Sequence, residues 1–332
     1  MLLTQPSQRL RKRSAFALAL IASLTLITAQ AAVKRKPAVR KPAVAVTAAP
    51  ATPKLSRSVA DILAASTPQE WRTLDPDNTL YLELPNGRVV MELAPDFAPE
   101  HARNIKTLVH EKYFDGLAIL RAQDNYVVQW GDPNDENADA KPLGSAKAAL
   151  PPEYTARITP TIPFTRLNDG DVYAPMVGFS HGFPVGRNAT SGQTWLTHCY
   201  GALGVARGND PTSGNGSGLY VIIGHAPRHL DRNIAVVGRV VQGMELLSVM
   251  PRGTGALGFY EKPEQRTSIK SITLASDVPA AERTQLELLR TDSASFAAVA
   301  EARRNRLDDW NTVPPGRIGL CNVLLPVRKS KI

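Results

Sequence analysis

The chain has 332 residues, 43% of them hydrophobic and 6% aromatic, with two cysteines and a formal net charge of +9, which suffices for one large core or two small ones and excludes disorder throughout. The charge is uneven, because the first 57 residues hold eleven of the 39 Lys and Arg and no Asp or Glu. That leaves 28 basic against 30 acidic residues afterwards, a net of −2, which argues against a nucleic-acid-binding face on the folded part.

In chain order, "QRLRKRSAFALALIASLTLITAQAA" joins a basic start to an apolar stretch from Ala15 to Ile27 and to the small residues Ala29 and Ala31. This is the pattern of a secretory signal peptide over residues 1–31, and it predicts a periplasmic or secreted protein with no stable membrane insertion after cleavage. An uncleaved anchor is the alternative, although the apolar stretch is short of the ~20 residues a span needs. Residues 32–57, rich in Ala, Pro and basic side chains, read as a semi-extended linker. Export would make Cys199 and Cys321 disulfide candidates; otherwise they are two small buried hydrophobes.

Globular patterning starts at Ser58. "STPQEW" offers Ser66 or Thr67 as the cap of a short helix with Pro68 in its first turn. "TLYLELPNGRVVMEL" holds two alternating runs around Asn86-Gly87, a hairpin signal. Pro99 opens a helix whose Ala102, Ile105, Leu108 and Val109 share a face. Strand-like runs follow at "LAIL", "YVVQW", "GALGVA", "LYVIIG", "IAVVGRVV" and "SIKSITLA", with a short helix at "GMELLSVM". Many strands and few helices predict a mainly β, closed antiparallel barrel. Residues 134–200 read as a long Pro- and Gly-punctuated insertion. Residues 277–332 read as an appendage, helical from Ala280 to Leu307 and strand-like at "LCNVLLPV".

Two motifs match catalytic signatures only in their letters. "GFSHG", Gly178 to Gly182, has the spacing of a serine-nucleophile elbow, but Pro184 and Gly186 forbid the helix that must follow Ser180. "GTGALG", Gly253 to Gly258, has dinucleotide-loop spacing, but it leaves a helical segment rather than a strand, so it reads as a flexible loop. His181, His198 and Cys199 could ligate a metal only if the fold converged them; their plain reading is as polar loop residues.

One segment combines an arginine and a glutamine with apolar strand runs: "FDGLAILRAQDNYVVQWGDP", Phe114 to Pro133. With the residues before it, from "GRVVMELAPDF" on, it resembles the first half of the cyclophilin peptidyl-prolyl isomerases. "GALGVARGNDPTSGNGSGLYVIIGHAPRHLDRNIAVVGRVVQGMELL" is similar to the second half. The resemblance covers Leu80 to Ala275, interrupted by the insertion, and its most specific piece runs from Arg121 through Tyr126 to Gln129, Gly131 and Asp132.

The resemblance implies a closed eight-stranded antiparallel barrel capped by two helices over residues 58–276; the C-terminal extension, which it does not explain, is expected from its own pattern to be α-rich and to pack on the barrel. It implies Arg121 and Gln129 as catalytic residues, and Tyr126, Val127, Tyr220 and Leu230 as the lining of a proline pocket. Ala206 and Arg207 fall on the backbone stretch that pairs with substrate, and His229 replaces a groove-edge Trp. Proline-containing polypeptides are the implied partners; a monomer without metal, cofactor or covalent intermediate suffices. Leu120, Trp130 and Gly218 depart from the family pattern, which keeps open a catalytically weak peptide-binding or chaperone module. For Arg121 alone, a plain surface ion pair with a carboxylate such as Asp124 is the competing reading.

Overall fold

The structure is a computed structural model that describes residues 56–135 and 137–330, so the expected leader and nearly all of the expected linker lie outside the described residues. The described part opens with helix α1 (Val59–Ala64), whose first turn is capped by the Ser58 side chain accepting from the Asp61 amide. A 3-10 turn, Pro68–Glu70, follows, in which the Thr67 amide donates to the Glu70 carboxylate at 2.9 Å. Strands β1 (Trp71–Thr73), β2 (Thr79–Leu84) and β3 (Gly87–Leu93) come next, then helix α2 (Pro99–His110), β4 (Ala118–Ala122) and β5 (Val127–Gly131). The β2–β3 hairpin is as expected, but Leu84 pairs with Gly87, so the turn residues are Pro85 and Asn86 rather than Asn86 and Gly87.

The insertion carries β6 (Ala156–Arg157), β7 (Thr165–Leu167), β8 (Met176–Ser180), β9 (Phe183–Asn188) and β10 (Gln193–Leu196). The chain then continues through β11 (Ala202–Val205), β12 (Leu219–Ile222), β13 (Val236–Gln242), α3 (Met244–Ser248), β14 (Thr267–Ser268) and β15 (Ser271–Leu274). Last come β16 (Leu286–Leu289), α4 (Ala294–Arg304) and β17 (Val327–Lys329).

Nine strands form one curled antiparallel sheet in the order β14-β4-β5-β12-β11-β13-β3-β2-β15. Its first and last strands belong to one continuous segment. Between them, Ile269 N donates to Leu117 O at 2.7 Å and Lys270 N to Glu83 O at 2.9 Å. Strand alternation sorts the side chains: Val128, Trp130, Leu219, Val221, Leu203 and Val205 point inward and join Leu80, Leu82 and Met91. Ile105 and Leu108 of α2 and Leu247 of α3 close on the same cluster. Each such fully buried aliphatic side chain contributes roughly 1.5–3 kcal/mol of transfer free energy. The outward alternates Val127, Tyr220, Ile222 and Ala202 form a second cluster with Ile162, Phe183, Val185 and Leu196 of the insertion.

The insertion is therefore an ordered element, a five-stranded sheet in the order β6-β10-β9-β8-β7. Sequence reading missed it because Pro184 and Gly186 look like breakers. Both lie in β9, and Gly186 is required there: a Cβ on it would stand 2.4 Å from the Trp195 indole across the strand pair.

The C-terminal extension also differs from expectation, being mixed rather than α-rich. "LELL", expected to be helical, is strand β16, placed between β1 and β17 in a three-stranded sheet. Of the range expected to be helical, Ala294–Arg304 alone is α-helical, beginning where the Ser293 side chain accepts from the Phe296 amide. Pairing to β1 overrides the weak helical propensity of "LELL", whose Leu286 and Leu288 face buried surroundings as a strand. The strand-like run "LCNVLLPV" begins as a 3-10 turn at Leu320–Asn322, and only its last residue, Val327, enters a strand. Phe296, Val299, Leu320 and Val323 share one core with Phe179, Trp195 and Cys199 of the insertion. Cys199 and Cys321 are disulfide-bonded, and Arg304 pairs with Asp169 at 2.7 Å. Tail and insertion thus form one packed unit, and Leu286 and Val327 also meet Tyr81 and Val90 of the curled sheet.

Candidate active site

Arg121 follows a β-bulge: the β4–β5 register shifts between Ile119 and Arg121, so Leu120 is the extra residue. Bulges re-aim side chains, and here the shift puts Arg121 directly opposite Gln129. Gln129 in turn faces Tyr220, and Tyr220 faces Gly204. Directly paired residues of antiparallel strands share a face, so Arg121, Gln129, Tyr220 and Gly204 form one row across four strands on the outer side of the sheet. A Cβ at Gly204 would lie 2.2 Å from Cζ of Tyr220. The glycine is what lets that ring lie over the neighbouring strand.

The Arg121 guanidinium is held on three sides. Nε donates to Leu257 O at 2.7 Å, Nη1 to Gln129 Oε1 at 3.2 Å, and Nη2 to Gln123 Oε1. Tyr126 and Phe259 rings flank it, with centroids 5.5 and 5.3 Å from Cζ. Partial burial lowers the Arg121 pKa from its ordinary value, yet an arginine starts so high that it stays charged. Asp124, the carboxylate of the competing surface-pair reading, is bonded instead to Arg252 at 3.0 Å. Sequence reading missed Gln123, Leu257 and Phe259. The last two lie in or beside the "GTGALG" loop, more than 130 residues from Arg121, and no local pattern links them.

The remaining expected site residues are divided. Val127 shares the face of Gln129, two residues away, and is buried. Ala206 N donates to Gly218 O at 2.9 Å. The Arg207 guanidinium is folded onto backbone, giving 3.1 and 2.8 Å bonds to Asn233 O. Leu230 ends the 3-10 turn Arg228–Leu230 and is half-buried, while His229 beside it is exposed. A groove runs alongside the row, lined among others by Leu120, Gln129, Ala206, Arg207, Gly218 and Phe259. Trp130 also borders it, but its side chain is fully buried in the inward cluster.

Tyr220 has a partner that the sequence did not reveal. His198 is fully buried, and its Nε2 lies 2.9 Å from the Tyr220 hydroxyl. Nδ1 lies 2.9 Å from Asp231 Oδ1, which also accepts from the His198 amide at 2.9 Å. Burial drives the Tyr220 pKa well above its ordinary value.

The metal alternative fails on placement: Cys199 is in the disulfide, His198 has both ring nitrogens engaged, and His181 contacts Thr161 O at 3.2 Å. Ser180 is buried at the end of β8, with a turn and then strand β9 after it, so the elbow geometry is absent.

The chain matches the family model "Cyclophilin type peptidyl-prolyl cis-trans isomerase/CLD" over residues 79–274. It is 28% identical over 211 residues to a "Probable peptidyl-prolyl cis-trans isomerase" of Brucella suis biovar 1, spanning 61% of this chain and 87% of that one. A second relative, "Peptidyl-prolyl cis-trans isomerase CYP23" of Arabidopsis thaliana, is 34% identical over 110 residues, 32% of this chain and 48% of that protein. The crystal structure of cyclophilin AquaCyp293 from Hirschia baltica superposes with a TM-score of 0.64 at 25% identity, covering 84% of this chain and all of that one.

Proposed function

This chain belongs to the cyclophilin-type peptidyl-prolyl cis-trans isomerase family, and from that premise we propose that Arg121 drives isomerisation at proline by stabilising the twisted amide. The observation that carries this reading is the Arg121–Gln129–Tyr220 row, with a guanidinium fixed by three acceptors at the rim of an apolar face.

An X-Pro amide interconverts slowly because resonance sets a barrier of ~18–20 kcal/mol. When the amide twists, the prolyl nitrogen regains a lone pair that a charged donor can engage and the planar ground state cannot offer. A guanidinium has five N–H groups, of which three are used within the chain, so each terminal nitrogen keeps one for substrate. Because Leu257, Gln129 and Gln123 already orient the fork, little reorganisation accompanies the transition state. Tyr126, Val127, Tyr220 and Leu230 grip the proline ring, so the carbonyl side rotates. Ala206 and Arg207 offer backbone for the substrate to pair with, and His229 stands at the groove edge.

The scaffold in this reading is a closed eight-stranded barrel, with Thr267–Leu274 counted as one strand bonded on both sides. The protein acts as a monomer on proline-containing segments of exported polypeptides, in the periplasm or outside the cell, its leader removed. The test is isomerisation of a proline-containing chromogenic peptide by the mature chain, with Arg121→Ala as control. A second reading, a peptide-binding module of weak catalytic power, draws on Leu120 at the bulge and Gly218 at the groove. Peptide binding without rate enhancement would favour it.

A further inference from the structure

His198, Asp231 and Arg228, all buried, and the half-buried Asp171 form a chain beneath Tyr220 that the catalytic reading leaves unused. Arg228 Nε donates to Asp231 Oδ2 at 2.6 Å. Its two terminal nitrogens donate to the Asp171 carboxylate at 2.9 and 3.1 Å. Asp231 then takes His198 at Oδ1, and His198 takes Tyr220. The polypeptide crosses itself along this chain: Asp171 and His198 come from the insertion, whereas Tyr220, Arg228 and Asp231 come from the segment resembling the barrel's second half.

A carboxylate only accepts, so the nitrogen facing Asp231, Nδ1, carries a proton; with the imidazole neutral, Nε2 accepts from the Tyr220 hydroxyl. The hydroxyl is thereby turned toward His198, while the ring, 5% exposed, belongs to the outward cluster with Phe183, Val185 and Leu196 of the insertion. The imidazole lies parallel to that ring, 8° between planes with centroids 6.3 Å apart. Asp231 directly follows Leu230, another of the expected pocket-lining residues, in the chain. Burying two carboxylates and a guanidinium is unfavourable unless each is paired, and here each is, which makes the arrangement rigid and specific in geometry.

We propose that His198 is a positioning residue for the isomerase site, and that through it the insertion holds Tyr220 in place as the floor of the proline pocket. This rests on the reading that Tyr220 lines that pocket. His198 acts through Tyr220 and touches no substrate, so its loss should appear chiefly in KM.

The test is a double-mutant cycle on the oxidised, full mature chain, with kcat and KM for a proline-containing chromogenic peptide and with Kd for the same peptide by calorimetry. Circular dichroism checks that each variant is folded at the assay temperature. His198→Leu and Tyr220→Phe should each lower kcat/KM about tenfold, mostly through KM, and the double variant should be no worse than either. His198→Gln, whose amide reaches the Tyr220 hydroxyl, should restore most of the loss. His198→Asn, which keeps only the bond to Asp231, should not, and it serves if His198→Leu fails to fold. Unchanged kcat/KM in folded His198→Asn, or additive losses in the cycle, would overturn the inference while leaving the isomerase intact. A wild-type chain that neither accelerates isomerisation nor binds the peptide would overturn the pocket reading and this inference with it.

Discussion

Arg121 Nε donates to the backbone oxygen of Leu257 at 2.7 Å, joining a strand residue to a loop 136 positions later in the chain. The bond fixes the plane of the guanidinium, which side-chain packing by itself does not. It also gives the "GTGALG" segment a place at the site despite its lack of any nucleotide-binding geometry.

If that fork is the transition-state donor, Arg121→Ala should lower kcat/KM by roughly 10² to 10³ with the fold intact. Gln129→Leu should cost less, about tenfold, because Leu257 and Gln123 still hold the guanidinium. Steady-state kinetics beside circular dichroism checks both, and full activity in a folded Arg121→Ala chain would falsify the assignment.

Gly204→Ala places a methyl group against the Tyr220 ring, 2.2 Å from Cζ in the present packing. Overpacking of this kind destabilises by roughly 1–3 kcal/mol. The displaced ring should also weaken peptide binding. Denaturant unfolding and calorimetry measure the two effects, and wild-type values for both would show that the row tolerates movement.

The Cys199–Cys321 bridge spans 122 residues. In the chain-entropy model a loop of this order stabilises by about 4–5 kcal/mol, a large fraction of a domain's stability. The paired substitution to serine should lower unfolding free energy by that amount or somewhat less, since Phe296, Val299 and Leu320 still pack on the insertion. Peptide mapping with and without reductant tests the bond itself.

Burial works to raise the Asp231 pKa, but the His198 hydrogen bond and the Arg228 charge outweigh it and hold the carboxyl below its ordinary value. A depressed folded pKa stabilises above the unfolded value, about 3.9, and that stabilisation is lost as pH falls through the folded one. Wild type should therefore exceed Asp231→Asn by about 3–5 kcal/mol near neutrality, with the gap narrowing below about pH 4. Thermal melts from pH 7 to 2.5 read this directly, and a gap independent of pH would exclude the carboxylate as its source.

Much of this protein is written in short-range pattern. The alternation in "YVVQW" and "LYVIIG" suffices to send Val128, Trp130, Leu219 and Val221 to one face and Val127, Gln129 and Tyr220 to the other, because side-chain direction along a strand has a period of two residues. Pro99 opened the expected helix because its fixed φ suits a first turn. The spacing from Arg121 to Gln129 was legible for the same reason, since both lie on one hairpin. What the tertiary structure decided are relationships between distant segments. "LELL" became a strand because β1 and β17 flank it, and the strand keeps Gly186 because Trp195 on the neighbouring strand fills the space a Cβ would take. Leu257 reached Arg121, and His198 reached Tyr220, through chain crossings that leave no periodic trace. A buried histidine bonded on both ring nitrogens looks in sequence like any loop histidine, because hydrogen-bond satisfaction belongs to the assembled interior rather than to the residue.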